Sequence, residues 1–398
     1  MPFHNQALGQ ARPASIRRNV VLPRRQSGFA SPLDWRDEVL YFLLGDRFSD
    51  AAEHTRPLLD RDNLAAARPN LANGQAGRWD RWAESGADRW QGGTLAGVLS
   101  KLAYLQQLGV ITLWLSPVFK QRGHLESYGV QDFLDVDPRF GSRAELVTLI
   151  ANAHAAGLRV ILDIIFNHSG ANWLYPPDTP GGAWTPAYTQ ARYPFGAWLG
   201  DAGQPIAAIH GGEEGAWPTE LQHPDDYTRA GSGSLGAGDI DDPDAEHKRS
   251  DFITLRDFRQ AAVLDDLAQC YKYWIALTDC DGFRIDTLKH VSLEEARNFC
   301  GSIKEFAANQ GKENFFLVGE VAGGDYTADR YLDVLDRNLN AALDIGDMRS
   351  TLSGVAKGLI PAQAFFDGFD PGHAVIGSHR NLALMSRSAT CPRPRCRC

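Results

Sequence analysis

Short apolar runs alternate along the chain with segments in which apolar residues recur every three or four positions. "VLYFLLGDRF" (39–48) opens as a buried strand, and "TLAGVLSKLAYLQQLG" then sets Leu95, Val98, Leu99, Leu102, Leu105 and Leu108 at helical spacing up to Gly109. "VITLWLSPVF" reads as a second strand. "SRAELVTLIANAHAAG" reads as a helix that opens on a capping box, Ser142 and Glu145, and closes at Gly157. "LRVILDIIFNH" is a third strand. After a long interruption come a helix in "AVLDDLAQCYKYWIAL", a strand in "DGFRIDTLKH", a helix from about Leu293, and the strands "FFLVGE" and "AALDI". Repeated strand–helix units with near-continuous apolar strands predict a parallel sheet covered on both faces. The fold class is therefore α/β. No Gly-rich phosphate loop follows the first strand, so a (β/α)8 TIM barrel fits better than a doubly wound sheet.

The interruption, residues 169–250, is rich in Gly, Pro, Trp and Asp and too long for an ordinary strand-to-helix loop. It predicts a small inserted domain after strand three, dividing the barrel into residues 36–168 and 251–385. Its acidic run "DIDDPDAEHKRSD" reads as a solvated loop rather than a metal site.

Composition narrows the partners. A net charge of −9 argues against nucleic acid, and no apolar run approaches the ~18 residues that would span a membrane. Residues 1–35 begin with a stretch holding Arg12, Arg17, Arg18, Arg24 and Arg25, without an acidic residue or the apolar core of a secretory signal. An organelle transit peptide shares that composition. We expect a disordered basic extension and a cytoplasmic protein. Cys270, Cys280 and Cys300 are scattered and suggest no disulfide framework. The tail "CPRPRCRC" lacks a second ligand pair at zinc-site spacing.

Chemistry gathers at the strand ends, where barrels of this kind carry it. Asp163, Asn167 and His168 follow strand three; Arg284, Asp286, Lys289 and His290 follow strand four; Glu320 ends strand five. Alternation puts Phe283 and Ile285 on one face and Arg284 and Asp286 on the other. One reading is an exposed strand with an ordinary ion pair; another is a carboxylate kept ionised by its cation. Asp286 and Glu320, on consecutive strands, could bring their carboxyl groups about 5–6 Å apart, the spacing of a retaining glycosidase. Arg284 would suit Asp286 to a nucleophile, and the apolar run before Glu320 would raise its pKa toward that of a general acid.

"DIIFNH" (163–168), "GFRIDTLKH" (282–290) and "LVGEV" (317–321) resemble, in order, three signature regions of the α-amylase family, glycoside hydrolase family 13. "YFLLGDRF", "SYGVQDFLDVDPRFG" and "LRDF" (255–258) resemble further family segments, so the likeness covers roughly 36–380. It implies Asp286 as nucleophile, Glu320 as general acid/base and Arg284 as the group that orients Asp286. It also implies sugar binding by Asp163 and His168, with Tyr128 beneath the ring and Lys289 and His290 on the leaving-group side. Many members bind Ca²⁺ between barrel and insert; Asn167 and Asp257 match side-chain ligands, and His290 matches a backbone one. Taken singly, His168 could be a satisfied core histidine and Tyr128 simple packing.

The family's fourth signature region is expected after "GFDPGHAVIGSHRNL", but the chain runs on as "ALMSRSATCPRPRCRC". Its last twelve residues hold four Arg, two Pro and three Cys and no Asp or Glu. We read residues 386–398 as an atypical tail, such as a frameshift produces, and expect the barrel to be incomplete at the C-terminus. The expected activity is retaining hydrolysis or transglycosylation of α-glucosidic bonds in glucans or oligosaccharides. The alternatives are a non-catalytic truncated remnant that at most binds sugar, or an Mg²⁺-dependent lyase, which Arg284 beside Asp286 speaks against.

Overall fold

The computed structural model describes residues 12–17, 28–55, 90–122, 127–189, 191–233, 251, 255–320, 337–343 and 347–367. Six strands make one parallel sheet: β1 (Leu40–Leu43), β2 (Thr112–Leu115), β3 (Arg159–Ile165), β4 (Gly282–Asp286), β5 (Phe316–Glu320) and β6 (Ala341–Leu343). They pair in chain order, β1–β2–β3–β4–β5–β6, as the expected barrel requires. The described strands form an incomplete (β/α)8 barrel with β1 and β6 at its edges. Residues 368–398, which include "GFDPGHAVIGSHRNL" and the Arg/Pro/Cys tail, lie outside the described residues.

The two faces of the sheet do different work. Phe283 and Ile285 are fully buried in the larger apolar cluster with helix residues such as Trp274, Phe299 and Ile303. Leu40, Trp114, Ile161, Phe316, Val318 and Ala341 form a second cluster on the concave side. Trp35 closes that cluster from below, stacking on Phe316 at 4.6 Å and donating its indole N–H to the Asn314 carbonyl at 2.6 Å. Polar residues of the same inward series lie one layer above this apolar floor.

Helices form where the periodicity places them. The helix Arg143–Ala155 starts at Ser142, whose hydroxyl accepts the Glu145 N–H at 3.2 Å and donates to the Glu145 carboxylate at 2.8 Å. The helix Leu293–Asn309 begins the same way at Ser292 and Glu295, a second capping box. The stretch expected as one helix over 95–108 is two, Leu95–Ser100 and Leu102–Gln107. Ser100 donates its hydroxyl back to the Gly97 carbonyl at 2.7 Å, a bond of the kind that bends helices. Gly97 itself is required, since a Cβ there would lie 1.8 Å from the Ser49 carbonyl oxygen.

The insert is keyed to the barrel where the chain returns from it. Arg256–Asp257 pairs antiparallel with His168–Ser169. Arg256, fully buried, donates to the carbonyls of Trp173, Leu255 and Trp184, lies over the rings of Trp173 and Tyr175, and pairs with Asp251 at 3.4 Å. Of the acidic run expected as a solvated loop, Asp251 is buried in this cluster, and the rest lies outside the described residues.

Residues 12–17 and 28–35 differ from the expected disordered extension. Arg12 pairs with buried Asp132 at 2.6 Å, Ile16 is in the core, its N–H reaches Glu220 at 3.0 Å, and Arg17 grips Asp266 at 2.5 and 2.9 Å. Phe29 stacks on His154 at 4.2 Å. Of the arginines that made the stretch look like a basic tail, Arg12 and Arg17 are partners for carboxylates on the strand Val130–Val136 and the helix Gln260–Thr278. Residues 18–27 lie outside the described residues.

Replacing Arg256 by Ala would leave Asp251 buried without its cation. We expect a loss of about 3–5 kcal/mol, read from urea unfolding, as for other broken buried pairs. A loss below about 1 kcal/mol would show that the pair does not hold the insert.

Candidate active site

At the C-terminal ends of β3, β4 and β5, one guanidinium joins three carboxylates. Arg284 Nη1 donates to Asp163 Oδ1 at 2.8 Å and to Asp286 Oδ1 at 2.7 Å. Its Nη2 lies 2.8 Å from Glu320 Oε2. Strand register explains the convergence: Arg284 faces Asp163 across β3–β4, and Asp286 is two residues further along the same face. The exposed-strand reading of this stretch fails, because Arg284 and Asp286 are 4% and 5% exposed.

The cation is itself boxed in. The rings of Trp114 and Tyr128 lie 5.5 and 5.6 Å from the Arg284 guanidinium carbon. Trp114 Nε1 donates to Asp163 Oδ2 at 3.0 Å, and the Tyr128 hydroxyl reaches the same oxygen at 3.3 Å. Trp114 had no chemical signal in the sequence, where it is one apolar position of a buried run.

Burial and charge push the groups apart. Burial would weaken Arg284 as a cation, but Asp163 and Asp286 more than reverse that and hold its pKa well above the ordinary value. Burial raises Glu320 above the usual carboxylate range; Arg284 pulls it back, while Asp286 pushes it up by charge and by a side-chain hydrogen bond. Burial also raises Asp163, against the opposing pull of Arg284. One cation does not offset the effect of burial on Asp163 and Glu320.

The turn after β4 tightens the arrangement. Thr287 adopts a left-handed conformation with φ 47° and points its N–H at Glu320 Oε2, 3.1 Å away. Lys289 and His290 follow on the turn Leu288–His290; His290 is half-buried, and the side chain of Lys289 lies outside the described ones. His168 is buried with Nε2 3.8 Å from Asp286 Oδ2. The structure thus gathers Asp163, His168, Arg284, Asp286, Glu320 and Tyr128 at one mouth.

Asn167 and Asp257 meet where the insert rejoins the barrel. The Asn167 carbonyl accepts the Phe258 N–H at 2.9 Å, and Asp257 sits opposite His168 in the short antiparallel pair. Both side chains are buried. Their oxygens suit calcium in kind, but two are fewer than the six to eight it takes. Among the described residues no group of three or more His, Cys, Asp or Glu could hold a metal ion.

The family model for the α-amylase catalytic domain matches residues 42–178. An α-amylase of Streptomyces lividans is 29% identical over 265 residues, covering 59% of this chain and 28% of that protein. The periplasmic α-amylase of Escherichia coli (strain K12) is 26% identical over 378 residues, covering 81% of this chain and 52% of that one. The crystal structure of a γ-cyclomaltodextrin glucanotransferase from an alkalophilic Bacillus clarkii superposes with a TM-score of 0.55 at 20% identity, over 84% of this chain and 43% of that one. The chain spans about half or less of the length of these proteins. Among the described residues no helix is long and apolar enough to cross a membrane. Signature segments, strand order and these likenesses agree, and they make the chain similar to the α-amylase family, whose catalytic-domain model matches residues 42–178.

Proposed function

We propose that the protein cleaves or transfers α-glucosidic bonds of glucans or oligosaccharides with retention at the anomeric carbon. The observation that carries this reading is the single guanidinium of Arg284 binding Asp163, Asp286 and Glu320 at the sheet's mouth. The named relatives, two α-amylases and a cyclomaltodextrin glucanotransferase, support the substrate class.

Asp286 has one oxygen tied to Arg284, and Oδ2 is the atom that would attack the anomeric carbon. Glu320, raised by burial, would first give its proton to the leaving oxygen. The deprotonated Glu320 would then take a proton from water or a sugar hydroxyl as that oxygen displaces Asp286. Asp163 is 1% exposed with both oxygens engaged, so its main part would be to hold Arg284 while lying against the sugar hydroxyls. His168 would contact the same hydroxyls, Tyr128 would stack beneath the ring, and Lys289 and His290 would face the leaving group. Asn167 and Asp257 would supply two oxygens to a calcium ion bracing the insert; no step depends on it.

The initial product of an aryl α-glucoside should carry the α configuration by proton NMR. An initial β product would overturn the retaining mechanism. Asp286→Asn should reduce turnover by on the order of 10³–10⁶-fold with little change in folding. A variant with more than a tenth of the parent activity would remove Asp286 from the nucleophile's role.

Glu320 must be protonated for the first step, so kcat/KM should fall as pH rises through its raised pKa. Asp286→Asn removes a negative neighbour and should therefore lower that pKa, read by ¹³C NMR of the Glu320 carboxyl. An unchanged or higher value would contradict the coupling. Glu320→Gln should slow natural glucans more than substrates with good leaving groups, which need little protonation. Equal slowing of glycosylation on both would argue against the acid role.

A further inference from the structure

Trp114 has the placement of a group that sets the geometry of its neighbours. It stands opposite Ile161 in the β2–β3 register, one inward layer below Asp163. Phe42 packs on its ring at 4.3 Å between centroids, and Trp114 is 7% exposed. Its indole carries a donor and no acceptor, so its buried N–H needs one partner, which here is Asp163 Oδ2 at 3.0 Å.

Asp163 accepts from both sides. Oδ2 takes the Trp114 N–H and the Tyr128 hydroxyl, while Oδ1 takes Arg284. A carboxylate torsion has a broad, shallow potential and is held by its hydrogen bonds. Arg284 in turn holds Asp286 and Glu320.

We propose that Trp114 is a positioning residue for the reaction put forward above. Its indole N–H fixes the Asp163 carboxylate, which fixes Arg284, which sets the orientation of Asp286 and Glu320. The inference rests on that reading of the reaction. The Trp114 hydrogen bond also favours the charged form of Asp163, so its loss should make Asp163 easier to protonate.

The test replaces the N–H and keeps the ring. Trp114→Phe should lower kcat on an aryl α-glucoside about 10–100-fold, as expected for a lost bond to a charged group, with KM changed less than about threefold. The acid limb of kcat/KM should move to higher pH, which a merely structural loss would not cause. Phe42→Leu trims the packing on Trp114 without touching its N–H and should leave that limb in place.

Where Trp114→Phe does not fold, β-(3-benzothienyl)alanine at position 114 substitutes sulfur for N–H at nearly constant shape, and the same changes are expected. A folded variant of either kind with parent kcat and an unmoved acid limb would overturn the proposal. The Asp163 carboxyl can also be titrated by ¹³C NMR without substrate. If the parent turns over no glucoside, the proposed reaction fails, while an Asp163 pKa that stays put on losing the N–H sinks the positioning role separately.

Discussion

One buried guanidinium has to satisfy three carboxylates, and most of the architecture serves that arrangement. Arg284 reaches Asp163, Asp286 and Glu320 at 2.7–2.8 Å only because β3, β4 and β5 run parallel, in register, with the same face inward. Burial raises two of its three carboxyl partners, Asp163 and Glu320, toward the neutral form. Burial and the charge of Asp286 raise Glu320, which remains the more accessible group, with a side chain 20% exposed. The same constraint that holds the site together therefore leaves Glu320 a raised and reachable carboxyl, as the proposed acid role needs.

Support comes from two directions. Below the site, Trp35, Leu40, Trp114, Ile161 and Phe316 make an apolar floor. Beside it, the insert returns through Arg256 and Asp257 to pair with His168 and Ser169, so the buried Arg256–Asp251 pair also braces the segment that carries His168. The N-terminal residues add ties from the outside, through Arg12 to Asp132 and Arg17 to Asp266.

Much of this was legible in the sequence because it follows from local rules. Period-two alternation separated Phe283 and Ile285 from Arg284 and Asp286, and the apolar runs gave the positions of the strands. Ser142 announced its helix through Glu145. What stayed hidden depends on partners distant in sequence. Trp114 is indistinguishable from Leu113 and Leu115 until the sheet brings Asp163 above it. Arg12 and Arg17 read as a basic tail because their carboxylates are Asp132 and Asp266, far along the chain. Gly97 looks like a weak point in a helix until the Ser49 carbonyl is seen against it.

The central claim is that this network presents Asp286 as a nucleophile that forms a covalent glycosyl-enzyme. The most direct measurement is to trap that species with a slow, fluorinated α-glucosyl fluoride and map the labelled peptide by mass spectrometry. The account predicts one sugar per chain, attached to Asp286. A label on Glu320 or Asp163, or steady turnover of the reagent with no label at any point, would contradict it.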